Sequence, residues 1–364
     1  MTRVLFNMPS QYAGRPSGVA RMALELLSSL IGKNDYQYVL RSPWSHEHLP
    51  ACLKAKPLDV VTVPRFSSAK LAVLQQSLAF PAFCRQQEID LVVNLDPFGS
   101  ATGARARMLI VHDIYFRMIG KKVGWRERLT NDSILRLMLY GNQEIVTVSE
   151  ATKRDLELWY PQSKGRVTAI HSATSIKPVD ASREIPGRYV LAVGNATENK
   201  NFGVLAEAMA SIHSSFPDVT LVHVGEDHNE TIAGTLRRLG CELPLVRLAS
   251  IDDRRLAGLY RYASCLCVPS LYEGFCLPIL EAQVCGCPVI CSNRSATPEI
   301  AGEGAILFDP ANARELADRL KTLLADPDLS GALVRRGYEN AAGFSWDGAA
   351  HQYLGVFERL LAKH

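Results

Sequence analysis

The sequence has no hydrophobic run long enough to cross a bilayer, because none of its apolar stretches approaches the ~18 residues of a membrane-spanning helix. Its first residues, Met1-Thr-Arg-Val-Leu-Phe-Asn, also include too few apolar side chains for a signal peptide. These absences argue against a helical membrane protein and against secretion. We therefore expect a cytoplasmic protein, either soluble or peripherally attached to a membrane.

Zinc-binding and nucleic-acid-binding motifs are missing as well. The nine cysteines are an odd number, and most fall in apolar or strand-like settings that are typical of free thiols in a reducing compartment. The pairs Cys265/Cys267 and Cys285/Cys287 have the spacing C-x-C, not the C-x2-C spacing of zinc sites. No zinc-finger, RNP or KH pattern occurs. We therefore expect neither a structural metal nor a nucleic-acid partner.

Length, hydrophobic content and charge indicate two domains with different surfaces. A chain of 364 residues with 47% hydrophobic content can bury two cores. Residues 1–180 hold 23 Lys and Arg against 15 Asp and Glu, a net charge of +8, and the remainder holds 17 against 22, a net charge of −5. Either the two halves have different partners, or the difference is chance drift between two solvated surfaces.

Apolar runs that predict strands alternate with segments of helical periodicity along the chain, which indicates parallel α/β sheets covered on both faces. The predicted strands are 3–8, 36–40, 58–63, 89–95, 108–112, 144–148, 167–171, 189–194, 220–225, 245–248, 265–268, 289–291 and 305–308. The predicted helices include 19–30, 69–87, 125–140 and 150–159. The polar segment 171–188, with Pro178 and Pro186, predicts a linker between two doubly wound domains.

One stretch, residues 269–281, combines a glycine turn with a helix start directly after a buried strand. The free amides of Gly274, Phe275, Cys276 and Leu277 and the helix dipole would form an anion site. Glu273 lies at the edge of that turn, and Glu281 lies about 9 Å further along the helix. Because carboxylates accept hydrogen bonds from sugar hydroxyls, the spacing suits a nucleotide-sugar; the alternative is a solvated helix face.

This stretch, Glu273-Gly-Phe-Cys-Leu-Pro-Ile-Leu-Glu281, resembles the E-x7-E signature of retaining GT-B glycosyltransferases of family 4, and the resemblance continues through 292–300 and 305–310. It implies two Rossmann-like domains that face each other across a cleft. Residues 1–175, completed by the terminal helix 345–364, would be the acceptor domain, and residues 188–344 would be the donor domain. Glu273 would contact the donor sugar and Glu281 the ribose.

The resemblance assigns roles to four further residues. His112, at the end of a predicted strand, matches the histidine that approaches the sugar and the acceptor; the alternative is a structural loop residue. Gly18 matches the loop that closes over the phosphates, although the family usually has two adjacent glycines there. Lys200 matches a lysine that neutralises the diphosphate, unless it is a surface residue at a helix start. Asn195 occupies the position of the family's arginine, so it either donates a hydrogen bond or another cation replaces that charge.

The function that this resemblance implies is retaining transfer of a sugar, most plausibly mannose from GDP-mannose, to a glycan or lipid-linked oligosaccharide. UDP-glucose is the rival donor, and a nucleotide-sugar epimerase or a non-catalytic sugar-binding subunit is the rival class. Helix amides and Lys200 can carry the diphosphate charge, so we expect no metal cofactor. The basic segment 117–128 with Trp125 indicates peripheral contact with the inner face of the plasma membrane, or else a solvated helix face.

Overall fold

A computed structural model of the chain describes residues 1–9, 18–64, 79–119 and 123–363. The chain forms two compact units, the first comprising Met1–Ala173 with Ser345–His364 and the second comprising Thr174–Phe344. Residues 174–187 of the predicted linker are therefore part of the second unit. Within the described residues, none of the helices combines the length and the apolar character that a bilayer crossing requires.

The first unit contains a parallel sheet of seven strands in the order β3-β2-β1-β4-β5-β6-β7. Its strands are β1 Arg3–Asn7, β2 Gln37–Ser42, β3 Leu58–Thr62, β4 Leu91–Asn94, β5 Ala106–Val111, β6 Glu144–Thr147 and β7 Val167–Ala169. Its helices are α1 Gly18–Leu30, α2 Ala51–Lys54, α3 Tyr115–Met118, α4 Trp125–Gly141 and α5 Glu150–Trp159, together with the terminal helix described below. Residues 79–86 are also helical.

The second unit contains a parallel sheet of six strands in the order β10-β9-β8-β11-β12-β13. Its strands are β8 Arg188–Val193, β9 Val219–Val224, β10 Leu245–Leu248, β11 Cys265–Val268, β12 Val289–Ser292 and β13 Ala305–Phe308. Its helices are α6 Phe202–Ile212, α7 Thr231–Arg238, α8 Asp253–Tyr262, α9 Leu277–Val284, α10 Thr297–Ala301, α11 Ala313–Ala325 and α12 Pro327–Ala341.

The predicted α/β class with two doubly wound sheets is confirmed, because both sheets are entirely parallel and separated along the chain by helices. β10, β11, β13 and α5 have the predicted bounds, and the other predicted strands are shifted by one or two residues at their ends. Ser149 caps α5 by accepting a hydrogen bond from the Thr152 amide. The predicted helix 69–87 lies partly outside the described residues.

The last helix, α13 Trp346–Leu361, belongs to the first unit although the second unit precedes it in the chain. Its start is fixed against α1, where the Ser29 hydroxyl donates a 3.0 Å hydrogen bond to the Trp346 carbonyl and Lys33 pairs with Asp347. Its inner face is apolar, and Phe357 meets Phe6 of β1 edge to face with ring centroids 6.5 Å apart, a spacing typical of aromatic pairs.

A buried network of amides lies where the central strands of the first sheet end. The Asn94 side chain accepts hydrogen bonds from Asn7 Nδ2 and the Ser100 amide, both at 2.9 Å. It donates to the Ser100 carbonyl at 2.9 Å and to Asn142 Oδ1 at 3.0 Å. Arg41 donates to Asn7 Oδ1 at 2.9 Å. The network therefore joins β2, β1, β4 and the end of α4.

Replacing Asn94 by Leu should destabilise the first unit strongly. Each buried polar group that loses its partner costs about 1–3 kcal/mol, so we expect the free energy of unfolding to fall by about 3 kcal/mol or more. Urea unfolding followed by circular dichroism measures the change. A variant as stable as the parent would show that these amides contribute little to holding the strand ends together.

Candidate functional site

The central feature of the second unit is the connection from β11 to α9. Every residue of β11 is buried, and α9 begins at Leu277 with Pro278 in its first turn, where a missing N–H costs nothing. Cys276, the residue before the helix, is in the left-handed conformation with φ of +82°. Non-glycine residues adopt this conformation at a cost in strain. The predicted strand, turn and helix are thus all present, with Gly274, Phe275 and Cys276 buried in the turn and Leu277 half-buried.

Glu273 is fixed at the start of this turn by two donors. Its Oε1 atom accepts hydrogen bonds from Lys200 Nζ at 2.7 Å and from Ser270 Oγ at 2.6 Å. Its own backbone amide donates to Ser295 Oγ at 2.9 Å. The carboxylate side chain is only 10% exposed and that of Lys200 20%. The two residues therefore form a half-buried ion pair, so Lys200 is not a surface residue at a helix start.

Glu281 lies further along α9 and is 4% exposed. Its Oε2 atom accepts a 2.8 Å hydrogen bond from the hydroxyl of Tyr260 on α8. Burial and the neighbouring Glu281 carboxylate raise the pKa of Tyr260 well above its usual value, so this hydroxyl remains a donor. Because neither Glu273 nor Glu281 is exposed, the alternative of a solvated helix face is wrong.

The loop after β8 carries Lys200 and is tied to the β11–α9 connection. The side chain of Asn201 donates hydrogen bonds to the carbonyls of Pro269, at 3.1 Å, and Pro310, at 2.8 Å. Asn201 is itself left-handed, with φ of +56°. The Asn199 carbonyl accepts a 2.7 Å hydrogen bond from the Leu271 amide. These contacts set the position of the Lys200 ammonium beside Glu273.

His223 on β9 was not predicted as a site residue. It contacts the start of the same loop, directly after β8. It is completely buried, and its Nε2–H donates a 2.8 Å hydrogen bond to the Gly194 carbonyl. Burial lowers the pKa of His223 below its usual value, which keeps the imidazole neutral. Phe202 packs against the ring at a centroid distance of 5.1 Å. A histidine inside an apolar strand was the sequence signal for this role.

Asn195 is uncharged, and its side chain makes a contact that holds a loop. Its side-chain Oδ1 accepts a 3.0 Å hydrogen bond from the Glu226 amide, which fixes the loop after β8. Arg294 is one of the residues that could supply the missing charge; it pairs with Asp309 at 3.0 Å and is 52% exposed. The residue after it, Ser295, accepts the hydrogen bond from the Glu273 amide, so Arg294 lies on a loop next to the site.

His112 and Gly18 belong to the first unit. His112 follows β5, and its Nε2–H donates a 2.8 Å hydrogen bond to the Leu95 carbonyl, so the residue does hold a loop. It also lines a cavity of about 230 Å³. Burial lowers the pKa of His112 to about 4, although the backbone hydrogen bond partly opposes this, and the ring is neutral at pH 7. Gly18 is the first residue of α1, and the loop before it, 10–17, lies outside the described residues.

The cavity beside His112 combines carboxylates with aromatic and aliphatic walls. Its lining includes Val19, Asp96, Phe98, Asp113, Tyr115 and Asn131. Asp96 Oδ1 accepts a hydrogen bond from the Phe98 amide at 2.8 Å, and Asp113 Oδ1 accepts one from the Tyr115 amide at 3.1 Å. Asp113 therefore lies at a turn, where aspartate commonly accepts a hydrogen bond from the backbone two residues further on. Such a mixture of acceptors and apolar surface can contact a hydroxyl-rich ring.

Within the described residues, no group of three or more His, Cys, Asp or Glu side chains could hold a metal ion. The sequence does contain one Asp-x-Asp, at Asp326-Pro-Asp328. Asp326 caps α12 by accepting a 2.9 Å hydrogen bond from the Leu329 amide. That carboxylate is therefore engaged at a helix start.

Solved structures with this two-sheet architecture extend over the whole chain. Sucrose-phosphate synthase from Thermosynechococcus elongatus matches with a TM-score of 0.77 at 19% identity and covers 100% of both chains. HepE from Anabaena, in complex with UDP-glucose, matches with a TM-score of 0.76 at 17% identity, over 99% of this chain and 100% of that chain. The fold is therefore that of the GT-B class.

The sequence of the second unit also matches a protein family. Residues 180–340 match the family model of the glycosyl transferases group 1, so this part of the chain is a group 1 glycosyl transferase domain. The O-antigen chain mannosyltransferase B of Escherichia coli is 27% identical over 237 residues, 64% of this chain and 58% of that protein. The GDP-mannose:cellobiosyl-diphosphopolyprenol alpha-mannosyltransferase of Komagataeibacter xylinus is 27% identical over 219 residues, 57% and 55% of the two chains. The match thus spans less than two thirds of either relative.

The buried neutral His112 predicts a loss of stability in acid. Its pKa in the folded chain, about 4, lies below the ordinary 6.5. The unfolded chain therefore binds more protons between these values, and the free energy of unfolding falls as pH drops from 6.5 to about 4, by on the order of 3 kcal/mol. His112→Asn keeps a donor for Leu95 but does not titrate, so its urea midpoint should depend less on pH. Identical pH dependence in both proteins would contradict a buried neutral imidazole.

Proposed function

We propose that the protein is a retaining glycosyltransferase that moves a sugar from a nucleotide-diphosphate donor to a glycan or lipid-linked oligosaccharide acceptor. The observation that carries this proposal is the half-buried pair of Lys200 and Glu273 beside the turn at the start of α9. That pair places a cation, a carboxylate and a helix N-terminus in one group 1 glycosyl transferase domain. A diphosphate sugar presents the matching chemistry, an anion joined to a ring of hydroxyls.

In this proposal the donor lies along α9. The amides of residues 274–277 and the ammonium of Lys200 bind the diphosphate and stabilise the charge that grows on it as the glycosidic bond breaks. Asn195 and Gly18 are also assigned to the donor. Glu281, with its hydroxyl partner Tyr260, accepts hydrogen bonds from the ribose. These fixed donors carry the phosphate charge without a metal cofactor.

In this proposal Glu273 and His112 are the residues that contact the reacting sugar. Glu273 orients its hydroxyls and favours the positive charge that develops on the ring. His112 contacts the sugar near the acceptor as a neutral ring, because its pKa is about 4. The bond from the anomeric carbon to the diphosphate oxygen breaks, and the acceptor oxygen bonds to the same face of that carbon. The acceptor proton passes to a phosphate oxygen, which gives retention without a protein nucleophile.

The donor that we propose is GDP-mannose. The two relatives described above are mannosyltransferases by name, and one of them is named for GDP-mannose and a diphosphopolyprenol-linked acceptor. UDP-glucose is the rival donor, since the HepE structure contains it. Thermal shift with GDP-, UDP- and ADP-sugars distinguishes these donors, because a ligand at 100 times its Kd adds roughly 2.7 kcal/mol of stability.

Two other classes are distinguished by what the protein does without an acceptor. A nucleotide-sugar epimerase would convert UDP-N-acetylglucosamine when no acceptor is present. A non-catalytic sugar-binding subunit would bind nucleotide and hydrolyse no donor.

A lipid-linked acceptor would also require a cytoplasmic position at the inner face of the plasma membrane, which we include in the proposal.

Glu273→Gln and Lys200→Ala should affect different kinetic constants. Gln keeps the shape of Glu273 but loses the charge that favours the electron-poor sugar, so we expect kcat to fall at least tenfold, about 1.4 kcal/mol, with affinity for free GDP nearly unchanged. Lys200→Ala should weaken GDP binding as well as lower the rate. Steady-state kinetics and calorimetric titration with GDP measure both effects.

The proposal that no metal is needed has its own test, in which the parent enzyme is assayed with and without EDTA. Activity that survives EDTA agrees with charge stabilisation by Lys200 and amides, whereas complete loss restored by Mg²⁺ would contradict the metal-free proposal. If Glu273→Gln loses GDP affinity and keeps kcat, the donor must lie in the opposite direction along α9.

Glu281→Gln tests the ribose assignment, and Tyr260→Phe is its matched control. A hydrogen bond to a charged acceptor contributes about 1.5–3 kcal/mol against about 1 kcal/mol for a neutral one, so Glu281→Gln should weaken GDP and UDP binding five- to tenfold. Tyr260→Phe keeps the carboxylate and should change affinity by less. Equal losses in both variants, measured by calorimetry, would make Glu281 a purely structural residue.

A further inference from the structure

Exposed apolar side chains are concentrated on three helices of the first unit. Within the described residues, eleven large hydrophobic side chains are exposed, and seven of them lie on α3, α4 and α5. These seven are Met118, Trp125, Leu129, Leu137, Tyr140, Leu158 and Trp159. Single exposed apolar residues are normal on a protein, but a concentration of them marks an interaction surface.

The helix α4 has two different faces. Ile134, Leu135, Met138 and Leu139 are buried against the first unit. Trp125, Leu129, Arg136 and Tyr140 follow one another at intervals of 4, 7 and 4 residues, which places them within about 60° around the helix. Arg126 and Leu137 flank this row. We call these six residues the outer face of α4; Trp125 is 68% exposed and Tyr140 89%.

The outer face is basic as well as apolar. Arg126 lies over the ring of Trp125 at 5.1 Å, and Arg136 lies over the ring of Tyr160 at 5.1 Å. Of the two acidic residues of α4, Asp132 lies at the edge of this face and pairs with Arg136, and Glu127 lies outside the face. Glu127 accepts a 2.9 Å hydrogen bond from the Tyr115 hydroxyl, and Asp132 is 13% exposed.

Asp132 does not cancel the positive charge of the surface. It pairs with both Arg117 and Arg136, so two guanidinium groups share one carboxylate. Arg117 also lies over the ring of Trp159 at 5.4 Å, which connects the exposed end of α5 to α4. The alternative of an ordinary solvated helix face does not explain four exposed apolar side chains on one helix.

We propose that the outer face of α4 docks on an anionic lipid bilayer, an inference that rests on the proposed transfer to a lipid-linked acceptor and names the surface involved. Trp and Tyr rings occupy the boundary between headgroups and acyl chains, and Arg side chains reach back to the phosphates. Arg126, Arg136 and the neighbouring Arg117 stand against one carboxylate, Asp132, and this excess of positive charge matches an anionic surface. The predicted basic segment 117–128 thus extends along α4 to Tyr140, while its residues 120–122 lie outside the described part.

The test measures binding of the full chain to vesicles of phosphatidylcholine, with and without phosphatidylglycerol. Arg126→Glu reverses one exposed charge, a change of two charges at about 1 kcal/mol each, and should weaken binding to the anionic vesicles about 30-fold. Trp125→Ser with Leu129→Ser should weaken it at least tenfold, because both side chains leave the acyl boundary. All three positions are exposed, so the fold should persist, as a melting curve will verify.

The matched control lies on α7 of the second unit. Arg237 and Arg238 are 66% and 67% exposed and precede Leu239, which is 48% exposed. Changing these three residues to Gln, Gln and Ser removes two exposed guanidinium groups and one exposed apolar side chain outside the outer face of α4. Binding to the anionic vesicles should stay within about twofold of the parent, since these residues are not part of the proposed membrane contact. Quenching by brominated lipid should be strong in the parent and lower in Trp125→Phe.

Three results would overturn the proposal. The parent protein does not bind anionic vesicles, or it binds neutral vesicles equally well, or the variants of the outer face bind as tightly as the parent. Self-association that depends on Trp125 and Leu129, without vesicle binding, assigns the face to a protein contact instead. GDP titration without vesicles gives an independent result, because it tests the donor site alone and is expected to be unchanged in every variant.

Discussion

The ion pair between Lys200 and Glu273 is the contact on which the proposed donor site depends. It joins two loops that follow different strands, β8 and β11, and it is mostly shielded from water. Taking both charges out of water is costly, so such a pair needs further hydrogen bonds. Ser270 supplies one to the carboxylate, and Asn201 holds the Lys200 loop on two backbone carbonyls. Without these neighbours the pair would have no fixed position.

The same pair sets a cation beside a carboxylate at the turn before α9, and both charges have a part in the proposed reaction. The ammonium of Lys200 has three donors, and one of them serves Glu273. In the proposed reaction the ammonium contacts both Glu273 and the diphosphate, and the charge of Glu273 stays at the sugar end. Strain at Cys276 agrees with this arrangement, because its left-handed backbone sets the turn before α9.

The sequence predicts the sheets and the turn between β11 and α9 because both depend on local patterns. A buried strand such as β11 is four apolar residues between turn signals, whereas β4 and β7 are shorter than predicted because apolar residues continue after the strand pairing ends. The contacts that support the site were not predictable in this way. Asn201 meets Pro310 across 109 positions, and His223 meets Gly194 across 29, so no local spacing encodes either contact.

The location of the positive charge separates two explanations for the basic first half of the chain. If the excess served an anionic substrate near His112, cations should line that cavity, yet among the described residues its charged lining side chains are Asp96 and Asp113. The arginines of α4 lie on its exposed side, together with Trp125 and Tyr140. The cavity thus suits a neutral, hydroxyl-bearing ring, and the positive surface suits the anionic membrane proposed for α4. One unit can then meet a sugar and a lipid surface with separate chemistry.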